Sequence, residues 1–333
     1  MRAIVLTGPS QVELVDDWPE PGLGAGEVLV GMRGVGLCGS DLGVYEGHRA
    51  TPGLPWVMGH EGGGEILAVG DDVMDRQVGQ RVVVEPNYSC FECPSCRAGR
   101  TSACVRRGIV GMNIPGLLAE RVAVPARFAW PVRESVSDET IACLEPLAVA
   151  RAAIRRSGVR PGDECLVVGA GSQGLFVCQA LLAVGAQPFV TEPIEGRLAL
   201  AERIGAKRVD PYQPGSFPFV FDTAGIPATW DVAVRAVAPT GAIIMIGMGG
   251  EPVPVSTMDL ARRQLVIRGS LIYDHPGDFA DTLDAVASGV LSPANVLLPG
   301  SPPEDAAAAF AQARGVPGKS WINLASWQED RHD

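Results

Sequence analysis

Residues 164–184 read Glu164-Cys-Leu-Val-Val-Gly169-Ala-Gly-Ser-Gln-Gly174-Leu-Phe-Val-Cys-Gln-Ala-Leu-Leu-Ala-Val184. An apolar run, Glu164–Val168, suits a strand buried on both faces, and Ser172–Val184 continues as a helix. Between them stands Gly169-Ala170-Gly171-Ser172-Gln173-Gly174, a G-x-G-x-x-G turn. Alone that pattern is weak; between a strand and a helix it points to dinucleotide binding. Gly169 permits the tight turn, Gly171 lets a pyrophosphate approach the backbone, and Gly174 lets helix and sheet pack closely. The free N–H groups at the helix start, around Ser172 and Gln173, favour phosphate.

The same texture runs on downstream. Pro188–Glu192 and Ile194–Ile204 form the next strand and helix; Val220–Asp222, Ala242–Ile246 and Leu265–Gly269 read as further strands, which together predict a parallel sheet. Glu192 ends the second strand about 20 residues beyond the glycines, where an acidic side chain binds a ribose diol. With Glu195 nearby it repels a 2′-phosphate, so NAD is favoured over NADP; Arg197 in the same turn is the counter-argument.

Upstream the chain changes character. Residues 1–148 carry short β-branched runs (Val28–Gly31, Gly64–Val69, Arg81–Val84, Arg121–Val124) between turn residues, which predicts a β-rich unit. Within it lies Cys90-x2-Cys93-x2-Cys96-x7-Cys104. Four thiols so spaced can converge on one tetrahedral point, as a closed structural zinc site requires. The lobe 88–107 has too few apolar residues for a core of its own, so metal binding has to supply its ordering. Two disulfides fit poorly, because the Met-Arg-Ala-Ile-Val-Leu-Thr-Gly-Pro start reads as a strand rather than an export signal, which places the cysteines in a reducing, cytoplasmic compartment.

Composition narrows the class. With 47% hydrophobic and 20% charged residues the chain suits a globular protein, and its apolar stretches are too short for a membrane span. Lys and Arg number 27 against 38 Asp and Glu, a formal charge of −11, which opposes nucleic acid.

Cys38 in Gly36-Leu-Cys-Gly-Ser-Asp41, His60 and Glu61 in Gly59-His-Glu-Gly-Gly-Gly64, and Glu145 in Cys143-Leu-Glu-Pro-Leu147 are further candidate ligands. Each alone has an ordinary explanation as a buried thiol, a core histidine or a helix-start carboxylate. Together with the cysteine lobe, the Gly169–Gly174 turn and the late Lys319, they resemble the zinc-dependent medium-chain dehydrogenase/reductase family, closest to its polyol, sugar and threonine dehydrogenase branch. The resemblance implies an α/β protein: a GroES-like catalytic domain over 1–148 and 271–333 with a Rossmann domain over 149–270. It implies one catalytic and one structural zinc, with Cys38, His60 and Glu145 matching catalytic ligands and Glu61 a carboxylate able to approach the same metal. It places Thr223, Gly247, Met248 and Lys319 on the cofactor, Lys319 at the pyrophosphate.

The implied activity is hydride transfer between a secondary alcohol or its ketone and NAD, in a homodimer or homotetramer. Ser40 matches the hydroxyl that takes the alcohol proton. Relatives carry a relay histidine three residues on, where this chain has Gly43, so the proton leaves through His48 or through water. Tyr45, His48, Met112 and Leu117 are candidate pocket residues. Pro211–Pro218 stands where the family places a Rossmann helix, which predicts a direct crossing. The alternatives are a zinc-free quinone or enoyl reductase, which the two ligand sets oppose, and a non-catalytic nucleotide-binding protein.

Overall fold

The computed structural model describes residues 1–209 and 211–329; residues 330–333, the end of the second catalytic-domain segment, lie outside them. The chain divides into two compact units, Met1–Glu145 with Leu297–Asp333, and Pro146–Val296.

The first unit is built on antiparallel sheet. Glu27–Gly36 lies at its centre, paired with Glu61–Val69 and Arg121–Pro125 and, at its C-terminal end, with Trp321–Asn323. Arg81–Val84 and Ala129–Pro131 extend the sheet beyond Glu61–Val69. Alternation in Glu27–Gly36 puts Val28, Val30 and Met32 fully inside with Ile4, Val82 and Phe128. Residues 297–329 return to this unit because Trp321–Asn323 completes the sheet beside Gly34–Gly36 and Trp321 Nε1 donates to the Leu298 carbonyl at 3.0 Å.

The second unit is a six-stranded parallel sheet in the order Lys207–Arg208, Gln187–Thr191, Glu164–Val168, Phe217–Asp222, Val237–Met245 and Val266–Gly269. Strand order reverses beside Glu164–Val168, so the glycine turn that follows it stands at the switch point where such sheets bind ligands. Leu166, Val220, Trp230, Ala233 and Ile243 form the apolar packing of one face. From Arg208 to Phe217 there is no helix among the described residues, and the chain crosses directly between strands; Asp210, within that crossing, is outside the described residues.

Two boundaries differ from the sequence expectation. The second crossing falls at Val296, later than residue 270, because the helix Gly277–Ala287 is held to the helix Asp138–Ser157 by Arg155, whose Nε and Nη2 donate to Asp278 at 2.5 and 2.7 Å. The first falls inside that same helix, which periodicity does not announce because Pro146 lies within it. Helices Pro227–Ala236 and Thr257–Arg263 also went unread. Among the described residues no helix is long and apolar enough to cross a membrane.

Candidate metal centres and dinucleotide site

The cysteine lobe begins at the short pair Asn87–Tyr88 with Gly108–Ile109 and is closed by tight turns. Its four sulfurs lie within 4.8 Å of one another. Cys90 Sγ is 3.5 Å from Cys104 Sγ and 4.0 Å from Cys96 Sγ. A tetrahedron with Zn–S bonds of about 2.3 Å has edges of about 3.8 Å, so the spacing fits that ion. All eight cysteines are free thiols. The Glu92 and Cys93 backbone N–H groups pull the Cys90 thiol down to about 6, whereas burial pushes Cys96 up to about 12.

The second cluster is assembled from distant segments. Cys38 caps the helix Gly39–Tyr45, and His60 and Glu61 open the strand Glu61–Val69. One ligand atom from each lies within 4.8 Å of the other two. Asp41, wholly buried, braces them: Oδ1 accepts from Gly59 N at 3.2 Å and faces His60 Nδ1 at 3.0 Å, while Oδ2 accepts from Cys38 N at 3.0 Å. Burial opposes ionisation of Asp41, but the facing His60 ring and the Cys38 N–H outweigh it and hold the carboxyl below its ordinary range. With Asp41 on Nδ1, the imidazole tautomer that ligates a metal presents Nε2. Ser40 Oγ lies 3.4 Å from that nitrogen.

Glu61 is buried, and its Oε1 has no hydrogen-bond partner among the described residues. An orphaned carboxylate oxygen beside a thiol and an imidazole is the donor set of a zinc site with an open position. The residues therefore fit the metal.

Several expected residues sit elsewhere. Glu145 is buried and accepts from Asn87 Nδ2 at 3.5 Å, outside the Cys38–His60–Glu61 group. Lys319, read as a pyrophosphate contact, is buried with its ammonium on Glu61 and the Leu37 carbonyl. His48 is exposed and turns to Glu46, with Nδ1 3.2 Å from Oε2. Tyr45 packs against Phe310 with the rings tilted by 37° and Leu117 is core, whereas Met112 is only partly buried. Asp41 was missed, although an acid three residues into a helix capped by Cys38 is the spacing at which a side chain returns to the cap.

In the second unit the glycine turn has the expected shape. Gly169 has φ +96°, and a Cβ on Gly174 would lie 2.0 Å from the Gly169 carbonyl oxygen; a Cβ on Gly171 would meet nothing within 4 Å. Glu192 follows the strand Gln187–Thr191 and is already engaged, Oε2 accepting from Ala170 N at 2.8 Å and Oε1 from Ile194 N at 3.1 Å. Arg197 Nη1 lies 3.9 Å from Oε1. Gln173 donates to the Pro146 carbonyl at 3.3 Å, and Thr223 Oγ1 donates to the Val168 carbonyl at 3.0 Å. Ser172 leads the helix, Gly247 packs against Ala224–Gly225, and Met248 is exposed.

The chain is similar to known dehydrogenases over most of its length. The family model of the alcohol dehydrogenase GroES-like domain matches residues 24–134, and that of the zinc-binding dehydrogenase matches 174–288. L-threonine 3-dehydrogenase of Thermococcus kodakarensis is 35% identical over 269 residues, 74% of this chain and 75% of the relative. 2-Dehydro-3-deoxy-L-galactonate 5-dehydrogenase of Pseudoalteromonas atlantica is 29% identical over 308 residues, 88% of this chain and 89% of its own. An alcohol dehydrogenase from Escherichia coli CFT073, crystallised with NADH, superposes with a TM-score of 0.90 at 28% identity, covering 97% of this chain and 99% of that one.

Proposed function

The chain belongs to the zinc-dependent alcohol dehydrogenase family, and from that premise we propose that it oxidises a secondary alcohol of a polyol, sugar or hydroxy-amino acid with NAD. Membership makes it a zinc-containing, nicotinamide-dependent oxidoreductase of small-molecule alcohols. The observation that carries the reading is the convergence of Cys38, His60 and Glu61 with one carboxylate oxygen unsatisfied. A zinc ion held there supplies Lewis acidity, which lowers the pKa of a hydroxyl at its open position by several units.

The protein's own groups do the rest. Asp41 fixes the His60 ring so that Nε2 faces Cys38 and Ser40. Ser40, whose Oγ lies 3.4 Å from that nitrogen, is the group that takes the proton the substrate hydroxyl loses. The proton then leaves through water, since His48 is turned to Glu46. Cys90, Cys93, Cys96 and Cys104 hold the second, structural ion. Ser172 and Gln173 begin the helix whose backbone N–H groups receive pyrophosphate, with Thr223, Gly247 and Met248 flanking the nucleotide. Glu192 meets the ribose diol, which favours NAD over NADP.

A cytoplasmic setting suits eight free thiols. A homodimer or homotetramer suits the open sheet edge Val266–Gly269, whose four residues are all exposed, Val266 and Ile267 among them. The test is a screen of zinc-replete protein against polyols, sugars, sugar acids and threonine, with NAD and NADP side by side. Turnover with a secondary alcohol and a preference for NAD, narrowed in Glu192→Ala, is the expected result. Protein that binds NADH yet turns over no alcohol in the screen overturns the reading.

A further inference from the structure

The helix Gly39–Tyr45 ends in a reversal that lays the next residues back along it. Glu46 caps the helix, and Gly47 takes the left-handed conformation, φ +78°. Gly47 N then donates to the Val44 carbonyl at 3.0 Å, and His48 N and Arg49 N both donate to the Gly43 carbonyl, at 2.9 and 3.0 Å. These bonds make a Schellman turn, which the glycine at its left-handed position allows. They fix the backbone of Arg49 over Gly43. A Cβ on Gly43 would lie 3.6 Å from both Cδ and Nε of Arg49, which is ordinary contact, so no clash requires glycine there. The arginine stem instead fills the volume beside a side chain at 43, and Gly43 is buried although Arg49 is exposed.

Ser40 and Gly43 stand three apart in the helix and are neighbours on one face, with about 5–6 Å between Cβ positions. Ser40 Oγ lies 3.4 Å from His60 Nε2, so the face that carries the Arg49 stem is the one that meets the metal centre. Arg49 Nε therefore lies within about 9 Å of Ser40 Cβ, a span that a sugar-sized chain covers. The neighbouring carboxylates are all engaged: Asp41 with His60 and Cys38 N, Glu61 with Lys319, and Glu46 with Arg314 and His48. Among the described residues the Arg49 guanidinium has neither an ion pair nor a hydrogen bond. It is a planar fork of donors suited to carboxylate or phosphate, held one helical turn from Ser40 and not neutralised by the acids around it.

We propose that Arg49 is a specificity-determining residue, whose guanidinium takes a carboxylate or phosphate at the end of the alcohol remote from the carbon that is oxidised. The substrate is then an anionic polyol derivative, a sugar acid or a polyol phosphate, and not a neutral polyol. Gly43 contributes by what it lacks, since a larger side chain there would lift the arginine stem off the helix. The inference rests on the reading of Cys38, His60 and Glu61 as the centre that receives the alcohol, and its test separates the two.

Calorimetry on zinc-replete protein with NADH bound, at low ionic strength, compares pentitols and hexitols with their aldonates and with their phosphates. The two anionic series tell carboxylate from phosphate. Wild-type protein is expected to bind members of one anionic series at least about tenfold more tightly than the matching neutral polyols, the scale of one charge-assisted hydrogen-bonded pair. Arg49→Met keeps the stem and removes the charge, and is expected to bring that ratio to within about twofold of one; Arg49→Lys keeps part of it. Gly43→Leu fills the place of the stem and leaves the charge, and is expected to lose the ratio as well. NADH affinity, read by fluorescence, is expected to be the same in all of them.

A wild-type ratio near one overturns the proposal, as does a ratio that survives Arg49→Met or Gly43→Leu. A parallel loss of NADH affinity in Arg49→Met overturns it too, by assigning the guanidinium to a cofactor phosphate. Protein that keeps the Arg49-dependent ratio but turns over no alcohol fails the proposed function and leaves the anion subsite standing.

Discussion

The two metal clusters of the first unit are made of similar atoms and built in opposite ways. Cys90, Cys93, Cys96 and Cys104 come from one short segment, and all four positions around their centre are closed by thiols. Cys38, His60 and Glu61 come from a helix start and a strand start, braced by Asp41 and Lys319, and in the proposed function they leave a fourth position to a ligand. On the proposed reading an ion in the closed cluster orders a lobe whose own buried cluster is its cysteines, whereas the open one is set into a core that exists without it. Loss of metal therefore has a folding consequence in the first and a chemical consequence in the second.

That contrast is most directly broken by exchanging one cysteine in each. Cys38→Ser is expected to abolish turnover, halve the zinc content from two ions to one and leave the circular dichroism spectrum in place. Cys93→Ser is expected to lose folded, soluble protein. Metal analysis and thermal melts of the pair decide it; Cys38→Ser chains that retain two tightly held ions would remove the open site from the comparison.

Next in size, Ser40→Ala tests whether the open site performs proton transfer. A loss of about 10²–10⁴-fold in turnover is expected with zinc content unchanged. Near-normal turnover, in an assay where a deuterated alcohol shows hydride transfer to be rate-limiting, removes Ser40 from the mechanism.

A smaller effect is expected at Asp41. Asp41→Asn keeps the size of the side chain but weakens its hold on His60 and Cys38, and metal affinity at the open site should fall about 10- to 100-fold. Chelator competition measures it, and the cysteine lobe should keep its ion throughout. Equal losses from both clusters would mean that Asp41 supports the fold and not the site.

The last prediction concerns the closed lobe just after a chelator has taken its ion, before the lobe loses its order. With its thiol near 6, Cys90 is largely thiolate at neutral pH, while Cys96, near 12, is not. Iodoacetamide should label Cys90 before Cys96, with a rate that climbs as pH rises through about 6 and then levels. Peptide mapping after brief labelling reads the order, and uniform labelling of the four would mean that the thiols lose their distinct surroundings as soon as the ion leaves.

Legibility followed the same division. The glycine turn between Glu164–Val168 and Ser172–Ala183 declared the second unit, because a nucleotide-binding turn is a local device whose strand, glycines and helix are contiguous. The cysteine lobe was equally plain, since its ligand spacing is its geometry. Helix Asp138–Ser157 was not, because Pro146 interrupts the pattern by which helices are read, while burial of Ile141, Ala142, Leu144, Leu147 and Ala150 holds the helix together regardless.

By itself, then, the sequence determined the two kinds of unit, the four-cysteine lobe, the dinucleotide turn and the candidates Cys38, His60 and Glu61. Tertiary structure alone decided which distant side chains those candidates meet. Asp41 reaches His60 only because the helix Gly39–Tyr45 packs beside residues 59–61, and Lys319 reaches Glu61 only because the returning segment adds Trp321–Asn323 beside Gly36. The physical reason is that a buried charge must find its partner in space. Local spacing encodes ligands a few residues apart, but a contact across 258 positions is written in sheet pairing and in the absence of a Cβ at Gly36.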